Sequence, residues 1–330
     1  MSSSKILILI GLSLAVLAGG RVALACDPCA FYNLSRLQGT HEQSLTLSLS
    51  EQYSSFRLAN PERLPREGSR TRSFSTTHLS VGYDISDRIG VQLSVPYVYT
   101  SSDRIERFAR VSKNSDSGFG DLALIGQFSL YQDLQAESAT LAGLSFGVKF
   151  PTGDTGSLGE FRSDLDSSST VLPLRHHNPA GGLGGGRLLS LGTGSYDFIF
   201  GGNLLRRQGR FLVMGYAQYV HRTEGDFDYR FADDFIWSVG PGYYLHLDHE
   251  ESVVFRLALG GEHKGMDRLN SQKVQGSRVS NIFISPEFIV SFAGGYVFEL
   301  GVDLPAYRGS DSALSETRYR VRSALSYRFS

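Results

Sequence analysis

The sequence predicts an all-β fold, a transmembrane antiparallel β-barrel of about 12 strands with short periplasmic turns and long extracellular loops. Three observations support this. Segments of about ten residues alternate between apolar and polar side chains, which is typical of strands between lipid and a polar lumen. The connections between these segments are alternately short and long. The last segment carries aromatic residues on one face and arginines on the other.

The last segment, residues 318–329, is predicted to be the closing strand. Successive side chains of a strand point to opposite faces. One face would hold Tyr319, Val321, Ser323, Leu325, Tyr327 and Phe329, and the other Arg318, Arg320, Arg322, Ala324, Ser326 and Arg328. Aromatic residues suit the lipid interfaces of a barrel, and guanidinium groups suit its lumen.

Eleven further segments show strand character. In residues 89–99, for example, Val91, Leu93 and Val95 alternate with Gln92 and Ser94. The others lie at 45–50, 75–86, 121–131, 140–150, 195–205, 211–220, 235–247, 253–260, 282–292 and 296–304. Together with the last segment they make an even number, as expected of bacterial outer-membrane barrels.

The connections alternate in length. Short turns are expected at 86–88, 132–138, 206–210, 249–252 and 293–295. Long polar loops are expected at 56–72, 101–118, 152–194, 221–233, 262–278 and 308–317. A barrel whose termini lie in the periplasm produces this alternation, and a secreted β-sandwich has no reason to.

The N-terminus is predicted to be a secretory signal peptide, residues 1–25. Lys5 precedes the apolar stretch 6–18, and Ala23-Leu24-Ala25 forms a small-x-small cleavage site. Residues 26–43 would then be a periplasmic tail and residues 44–330 the barrel. Because Cys26 would be the first mature residue, lipidation of Cys26 is an alternative outcome of processing.

Cys26 and Cys29 form the sequence's one cysteine pair, in a Cys-x-x-Cys arrangement. A local disulfide in an oxidising compartment is one interpretation, and a metal or redox role is the other. Two cysteines alone cannot complete a structural zinc site. Neither a metal site nor a cofactor is predicted for this chain.

The predicted lumen is charged. Its inward-facing charged residues would be Asp84, Arg88, Asp121, Lys149, Arg256, Glu287, Glu299, Asp303, Arg318, Arg320, Arg322 and Arg328. An Arg or Lys on the lipid face near the midplane would cost about 2–4 kcal/mol, so we expect no charges there. The lumen charges could form a salt-bridge network that fills a narrow barrel, or a lining that selects solutes.

The connection at 152–194 is too long for a simple hairpin loop. It contains the apolar patch 171–174, then His176 and His177, and the glycine-rich stretch 180–186. It could fold into the barrel mouth as a constriction, or remain a mobile surface loop. The glycine-rich stretch lacks the GK[ST] ending of a phosphate-binding loop.

Several short motifs resemble a bacterial outer-membrane family named for the MetA pathway of phenol degradation. They are Ser117-Gly118-Phe119-Gly120-Asp121-Leu122, Val95-Pro96-Tyr97, Lys149-Phe150-Pro151-Thr152-Gly153-Asp154 and Leu304-Pro305. The resemblance implies an outer-membrane channel for catabolic substrates, aromatic compounds among them. The C-terminus is similar to the aromatic signal read by the barrel-assembly machinery, although Phe329 is penultimate and Ser330 is last.

Three functions are compatible with the sequence. The first is a passive channel in outer-membrane lipid for small-molecule solutes. The second is an outer-membrane enzyme that uses a Ser–His pair at His78, His221, His246 or His263, but no nucleophile motif marks any of them, and no catalytic residue is predicted. The third is a structural barrel whose Cys26–Cys29 tail docks a periplasmic protein. A net charge of −1 gives no indication of a nucleic-acid partner.

Overall fold

The structure is a computed structural model that describes residues 43–57, 71–105, 111–156, 158–159, 190–248, 250–274, 277–292, 294–309 and 316–329. Twelve strands form a closed antiparallel ring, in which each strand pairs with its neighbours and the last, Glu316–Phe329, pairs with the first, Leu45–Arg57. The prediction of about 12 strands is confirmed. Within the described ranges, no helix is long and apolar enough to cross a membrane.

The ring consists of β1 (Leu45–Arg57), β2 (Thr71–Asp84), β3 (Ile89–Ile105), β5 (Ala123–Leu134), β6 (Ser138–Lys149), β7 (Asp197–Gln208), β8 (Phe211–Arg222), β10 (Asp234–Leu247), β11 (Ser252–Lys264), β14 (Val279–Phe292), β15 (Tyr296–Arg308) and β16 (Glu316–Phe329). Another strand, β4 (Val111–Phe119), extends the wall beside β3. Three two-residue strands, β9 (Tyr229–Arg230), β12 (Arg268–Leu269) and β13 (Gln272–Lys273), form a separate small sheet.

Short and long connections alternate around the ring, as predicted. We call the end with the short connections, such as 85–88 and 248–251, the turn end. We call the opposite end, with connections such as 150–196 and 223–233, the loop end.

The predicted loop 101–118 is wrong in its extent, because most of it is strand. β3 continues to Ile105 and pairs with β4 from Tyr97 onward, whereas the first half of β3 pairs with β5. Thus β4 and β5 act as one wall strand that is interrupted at residues 120–122. Asp121 lies in this interruption, where the backbone leaves the ladder and the side chain can reach the loops.

The outer face of the barrel is apolar. Side chains such as Leu79, Leu93, Phe146, Phe200 and Leu257 are 41–54% exposed, whereas inward residues such as Ser80, Ser94 and Arg256 are 1–4% exposed. A continuous apolar surface of this kind is expected where a protein contacts lipid.

Glu51 is a charged residue on this outer face. Glu51 follows Leu49 and precedes Tyr53 on the outward side of β1, with no break in the register there. Its carboxylate accepts a hydrogen bond from the Thr77 hydroxyl on β2. The expectation that the lipid face carries no charge is therefore wrong at this position, because strand alternation places residue 51 outward whatever its chemistry.

Candidate functional site: the barrel lumen

The centre of the lumen holds a network of three arginines and three carboxylates on β11, β14, β15 and β16. We call it the central network; its members are Arg256, Glu262, Glu287, Asp303, Arg320 and Arg322. Strand alternation turns all six inward, and Arg256, Glu287, Asp303 and Arg320 are 1–7% exposed. Opposite charges on neighbouring strands attract each other, which favours this arrangement over a row of arginines alone.

Each arginine of the central network contacts a carboxylate. Arg256 Nη1 lies 2.6 Å from Glu287 Oε2, and Arg322 Nη2 lies 2.8 Å from both Glu287 Oε1 and Asp303 Oδ1. Arg320 Nη2 lies 2.6 Å from Glu262 Oε2. Such charge-assisted hydrogen bonds also fix the side-chain directions, so the network is ordered.

Surrounding groups complete the central network. Arg256 also donates to the Met214 carbonyl and the Ser238 hydroxyl, both at 3.1 Å, and the Ser285 hydroxyl donates to Asp303 at 2.8 Å. Gly301 makes room for the Arg322–Glu287 contact, because a Cβ there would lie 3.1 Å from Glu287 Cγ and 3.3 Å from Arg322 Nη2.

The wall made by β1, β2 and β3 carries small, uncharged polar residues instead. We call this the hydroxyl wall, defined by Ser48, Ser50, Ser54, Thr76, His78, Ser80 and Ser94, all buried. Its side chains contact one another: Ser80 Oγ lies 3.4 Å from Ser94 Oγ, and Ser94 Oγ lies 3.4 Å from His78 Nδ1. The lumen is therefore chemically asymmetric around its circumference.

A cavity lies between the central network and the hydroxyl wall. Its lining includes Ser50, Thr76, His78, Tyr216, Glu299 and Arg322. The cavity volume that the centres of water molecules can occupy is about 80 Å³. Because one water needs about 10–15 Å³ by this measure, the cavity has room for a few waters or a small solute.

A second charged network closes part of the loop end. Lys149 Nζ lies 3.0 Å from Asp121 Oδ2 and 2.6 Å from Asp197 Oδ2. Arg222 contacts Asp197 at 3.2 Å and also pairs with Asp234. We call these five residues the loop-end network; all are almost completely buried.

The loop-end network holds both ends of one long connection. The Thr193 amide and hydroxyl donate to Asp121 at 2.8 and 2.7 Å, and the Gly153 amide donates to Asp121 at 3.0 Å. Residues 153 and 192 are in such close backbone contact that a Cβ on Gly153 would lie 2.7 Å from the Gly192 Cα. Both ends of the connection 150–196 are thus fixed to the barrel at Asp121.

The small sheet has a buried pair of its own. The Tyr229 hydroxyl donates to Asp267 at 2.8 Å, and Lys264 Nζ lies 2.9 Å from Asp267. Burial, and then the Asp267 carboxylate, hold the pKa of Tyr229 well above its ordinary value. This pair links the connections on either side of β10 and β11.

Toward the turn end, one side of the lumen becomes apolar. Leu212, Met214 and Val254 form a buried inward cluster, with Leu205 and Ile289 against it. On the side of β8 and β11, aliphatic side chains therefore border the cavity toward the turn end.

The structure places most of the predicted lumen residues inward. They lie in the two networks, in the cavity lining or toward the turn end, and they are Asp84, Asp121, Lys149, Arg256, Glu287, Glu299, Asp303, Arg320, Arg322 and Arg328. Two residues differ. Arg88 lies exposed in the turn 85–88, beyond the end of the wall. Arg318 has no partner in the β1 register, because Ser55 pairs with Tyr319 and Phe56 with Thr317, so this bulge residue is exposed.

Several inward charges were not predicted. Asp197, Arg222, Asp234, Glu262 and Lys264 continue the inward alternation of their strands to the loop end. Asp197 lies within the predicted segment 195–205, whose facing was not assigned, and extending the other strands by one to four residues at the same parity would have found the rest. Cys26, Cys29 and residues 160–189 lie outside the described residues. In the described part of the chain, no group of three or more His, Cys, Asp or Glu side chains is placed to hold a metal ion.

The closed ring, the apolar outer face and the polar lumen define a transmembrane β-barrel. This fold is shared with a solved outer-membrane channel. The COG4313 outer membrane channel from Pseudomonas putida F1 matches with a TM-score of 0.60 and 15% identity, over 92% of this chain and 100% of that one. The transport unit of the autotransporter AIDA-I from Escherichia coli has a TM-score of 0.49 and 11% identity, over 92% and 94%.

Sequence comparisons add nothing to this likeness. No protein-family model matches the chain, and no curated protein matches it either. No family model therefore supports the resemblance to the MetA-pathway family. The outer-membrane barrel fold that this resemblance implied is nevertheless the fold of the protein, and at 15% identity the Pseudomonas structure shows that fold and no more.

Proposed function

We propose that the protein is an outer-membrane channel through which small solutes pass by diffusion. The observation that carries this proposal is a cavity, lined in part by charged and hydroxyl groups, inside a closed ring of strands with an apolar exterior. A lipid-embedded barrel with charged and hydroxyl groups inside offers solutes a polar route through the hydrocarbon layer. The fold shared with an outer-membrane channel supports the same conclusion.

The size and chemistry of the cavity restrict the solute. Space for a few water molecules favours small compounds as the solute. The MetA-family resemblance of the sequence motifs makes single-ring aromatic compounds candidate solutes within this proposal.

Conductance of the purified, refolded barrel in planar lipid bilayers tests the proposal. The matched variants are Ala324→Trp and Leu325→Trp, which are neighbours on β16 and face the lumen and the lipid respectively. We expect single-channel conductance from the wild type, a strong reduction for Ala324→Trp and little change for Leu325→Trp. A wild type that does not conduct and gives no solute uptake in vesicles would refute the channel; equal effects of both variants would refute the lumen as its path.

An enzymatic role has its best geometric candidate at His263, whose Nδ1 lies 2.9 Å from the Ser280 hydroxyl on the outer face. However, the Trp237 indole N–H points at His263 Nε2 at 3.4 Å. Because an indole nitrogen only donates, Nε2 accepts and the ring proton lies on Nδ1, facing the serine. A histidine in this tautomer cannot take the serine proton, so the pair favours a structural role. Lipid hydrolysis that is lost in His263→Ala would contradict this.

The proposal includes the route to the membrane. Residues 1–25 would direct secretion, residues 26–43 would remain in the periplasm, and the aromatic C-terminal strand would be read by the barrel-assembly machinery. Mass spectrometry of the mature N-terminus would detect cleavage, lipidation of Cys26, or a Cys26–Cys29 disulfide. Crosslinking followed by co-purification would detect a periplasmic partner of this tail.

A further inference from the structure

We propose that the small sheet at the loop end binds the phosphate groups of a glycolipid in the outer leaflet of the membrane. The sheet consists of β9, β12 and β13, and three of its cationic side chains lie together on one face. We call them the basic row; its members are Arg230, Arg268 and Lys273. The inference requires the loop end to face the outer leaflet, as expected of a barrel with long outer loops, and it does not depend on whether the lumen conducts.

Strand pairing places the three cations of the basic row side by side. Arg268 on β12 is directly opposite Arg230 on β9 and directly opposite Lys273 on β13. Side chains that are directly opposite each other in an antiparallel pair share a face of the sheet. Like charges in these positions repel each other and weaken the sheet. The row is therefore unfavourable for the fold by itself, and an anion bound across it would relieve the repulsion.

Asp233 neutralises only part of the basic row. Among the ion pairs of the described residues, one involves the row: Arg230 Nη2 lies 3.3 Å from Asp233 Oδ1. Arg268 and Lys273 are exposed, so a ligand can reach both. Guanidinium groups bind phosphate through two parallel hydrogen bonds, and a lysine adds a point charge. The row therefore has the charge and the donors to bind a ligand that carries phosphate groups.

The opposite face of the small sheet is fixed to the rest of the loop end. Tyr229 and Leu269 are directly opposite each other and pack with Leu158 in an apolar cluster. The Tyr229 hydroxyl donates to the Asp267 carboxylate at 2.8 Å, and the Val274 amide donates to the Asp267 carbonyl at 2.8 Å. The backbone under the basic row is thus held in place, so little ordering is needed when a ligand binds.

The basic row lies on the lipid side of the loop end. Asp233, which contacts Arg230, also accepts a hydrogen bond from the Tyr219 hydroxyl at 2.8 Å. Tyr219 on β8 and Phe235 on β10 are directly opposite each other, and both are exposed on the outer face. Outward aromatic residues mark the interface between lipid tails and headgroups in a barrel. The row is therefore close to this interface, where basic clusters bind anionic headgroups.

Titration of the purified, refolded protein with diphosphoryl lipid A, followed by native mass spectrometry, tests the inference. A cation near an anionic lipid surface contributes about fivefold to affinity, so Arg268→Gln combined with Lys273→Gln should weaken binding about 30-fold. Arg88→Gln combined with Arg210→Gln is the matched control, because it removes the same charge from exposed turns at the turn end, and it should bind like the wild type. Dephosphorylated lipid A should bind the wild type no better than diphosphoryl lipid A binds the double variant of the row.

Folding of each variant is checked by its heat-modifiable mobility on gels. If the double variant does not fold, Lys273→Gln alone tests the same point, with an expected loss of about fivefold. Equal binding of the two forms of lipid A would overturn the inference, as would unchanged binding by the row variants or an equal loss in the turn-end control. Inorganic phosphate that displaced the glycolipid mole for mole would assign the row to free anions and overturn its assignment to lipid.

Discussion

Replacing Lys149 with methionine should destabilise the barrel strongly, because this ammonium group joins two buried carboxylates. Lys149 is 1% exposed, and the side chains of Asp121 and Asp197 are completely buried. Methionine keeps most of the volume of lysine and removes its charge. Both carboxylates then lose a cation at 2.6–3.0 Å without gaining water.

The groups that remain set the size of this effect. Breaking a buried ion pair by removing one partner costs about 3–5 kcal/mol. Asp121 would keep hydrogen bonds from the Thr193 amide and hydroxyl and from the Gly153 amide. Asp197 would keep the Ser195 hydroxyl and Arg222. Because these partners remain, we expect the free energy of unfolding to fall by about 3 kcal/mol, the lower end of this range.

Urea unfolding of the barrel in lipid vesicles, followed by tryptophan fluorescence, measures this loss. Lys273→Met is the control, because Lys273 is exposed in the small sheet. Adding Asp197→Asn to Lys149→Met should recover part of the lost stability, since it removes one of the two carboxylates that lost the ammonium group. The reasoning would be refuted if Lys149→Met unfolded within about 0.5 kcal/mol of the control.

Three further predictions concern other parts of the barrel. Glu51→Leu should stabilise the barrel in lipid by about 1–2 kcal/mol in urea unfolding, because a carboxylate on the lipid face is unfavourable; a loss would show that the carboxylate is needed. Gly301→Leu should cost about 1–3 kcal/mol and Gly301→Ala less, because added atoms press on the Arg322–Glu287 contact; equal stability of all three proteins would contradict this. Hydrogen bonds from the amides of Glu251 and Glu250, and from His246, lower the pKa of Asp248 to about 2. The contribution of Asp248 to the stability of the folded protein is therefore complete above about pH 4 and is lost as the pH falls toward 2. Carboxyl NMR titration checks this, and a midpoint near 4 would be evidence against it.

Strand alternation predicted which residues face the lumen wherever the register is regular. Arg256, Glu287, Asp303 and Arg322 were placed inward from the sequence, since a period of two needs no knowledge of neighbouring strands. The prediction failed for Arg318 because the bulge at this residue depends on pairing with β1.

Pairing partners could not be predicted from the sequence. Asp121 was expected inward, but its contacts with Lys149 and Thr193 join segments 28 and 72 residues apart. These contacts depend on the interruption between β4 and β5, and the sequence of this region was interpreted as a loop. The charges at the loop end were missed because polar strand ends resemble loops until their partners are known.

The sequence by itself determined the closed, lipid-facing character of this protein, because alternation and connection length are local properties of the chain. Only the tertiary structure decided which charges neutralise each other, as Arg256 and Glu287 do. Ring closure brings β11, β14, β15 and β16 together, and the distances between their side chains depend on register, bulges and strand order. Electrostatic energies depend on these distances, so the charge balance of the lumen emerges only in the folded barrel.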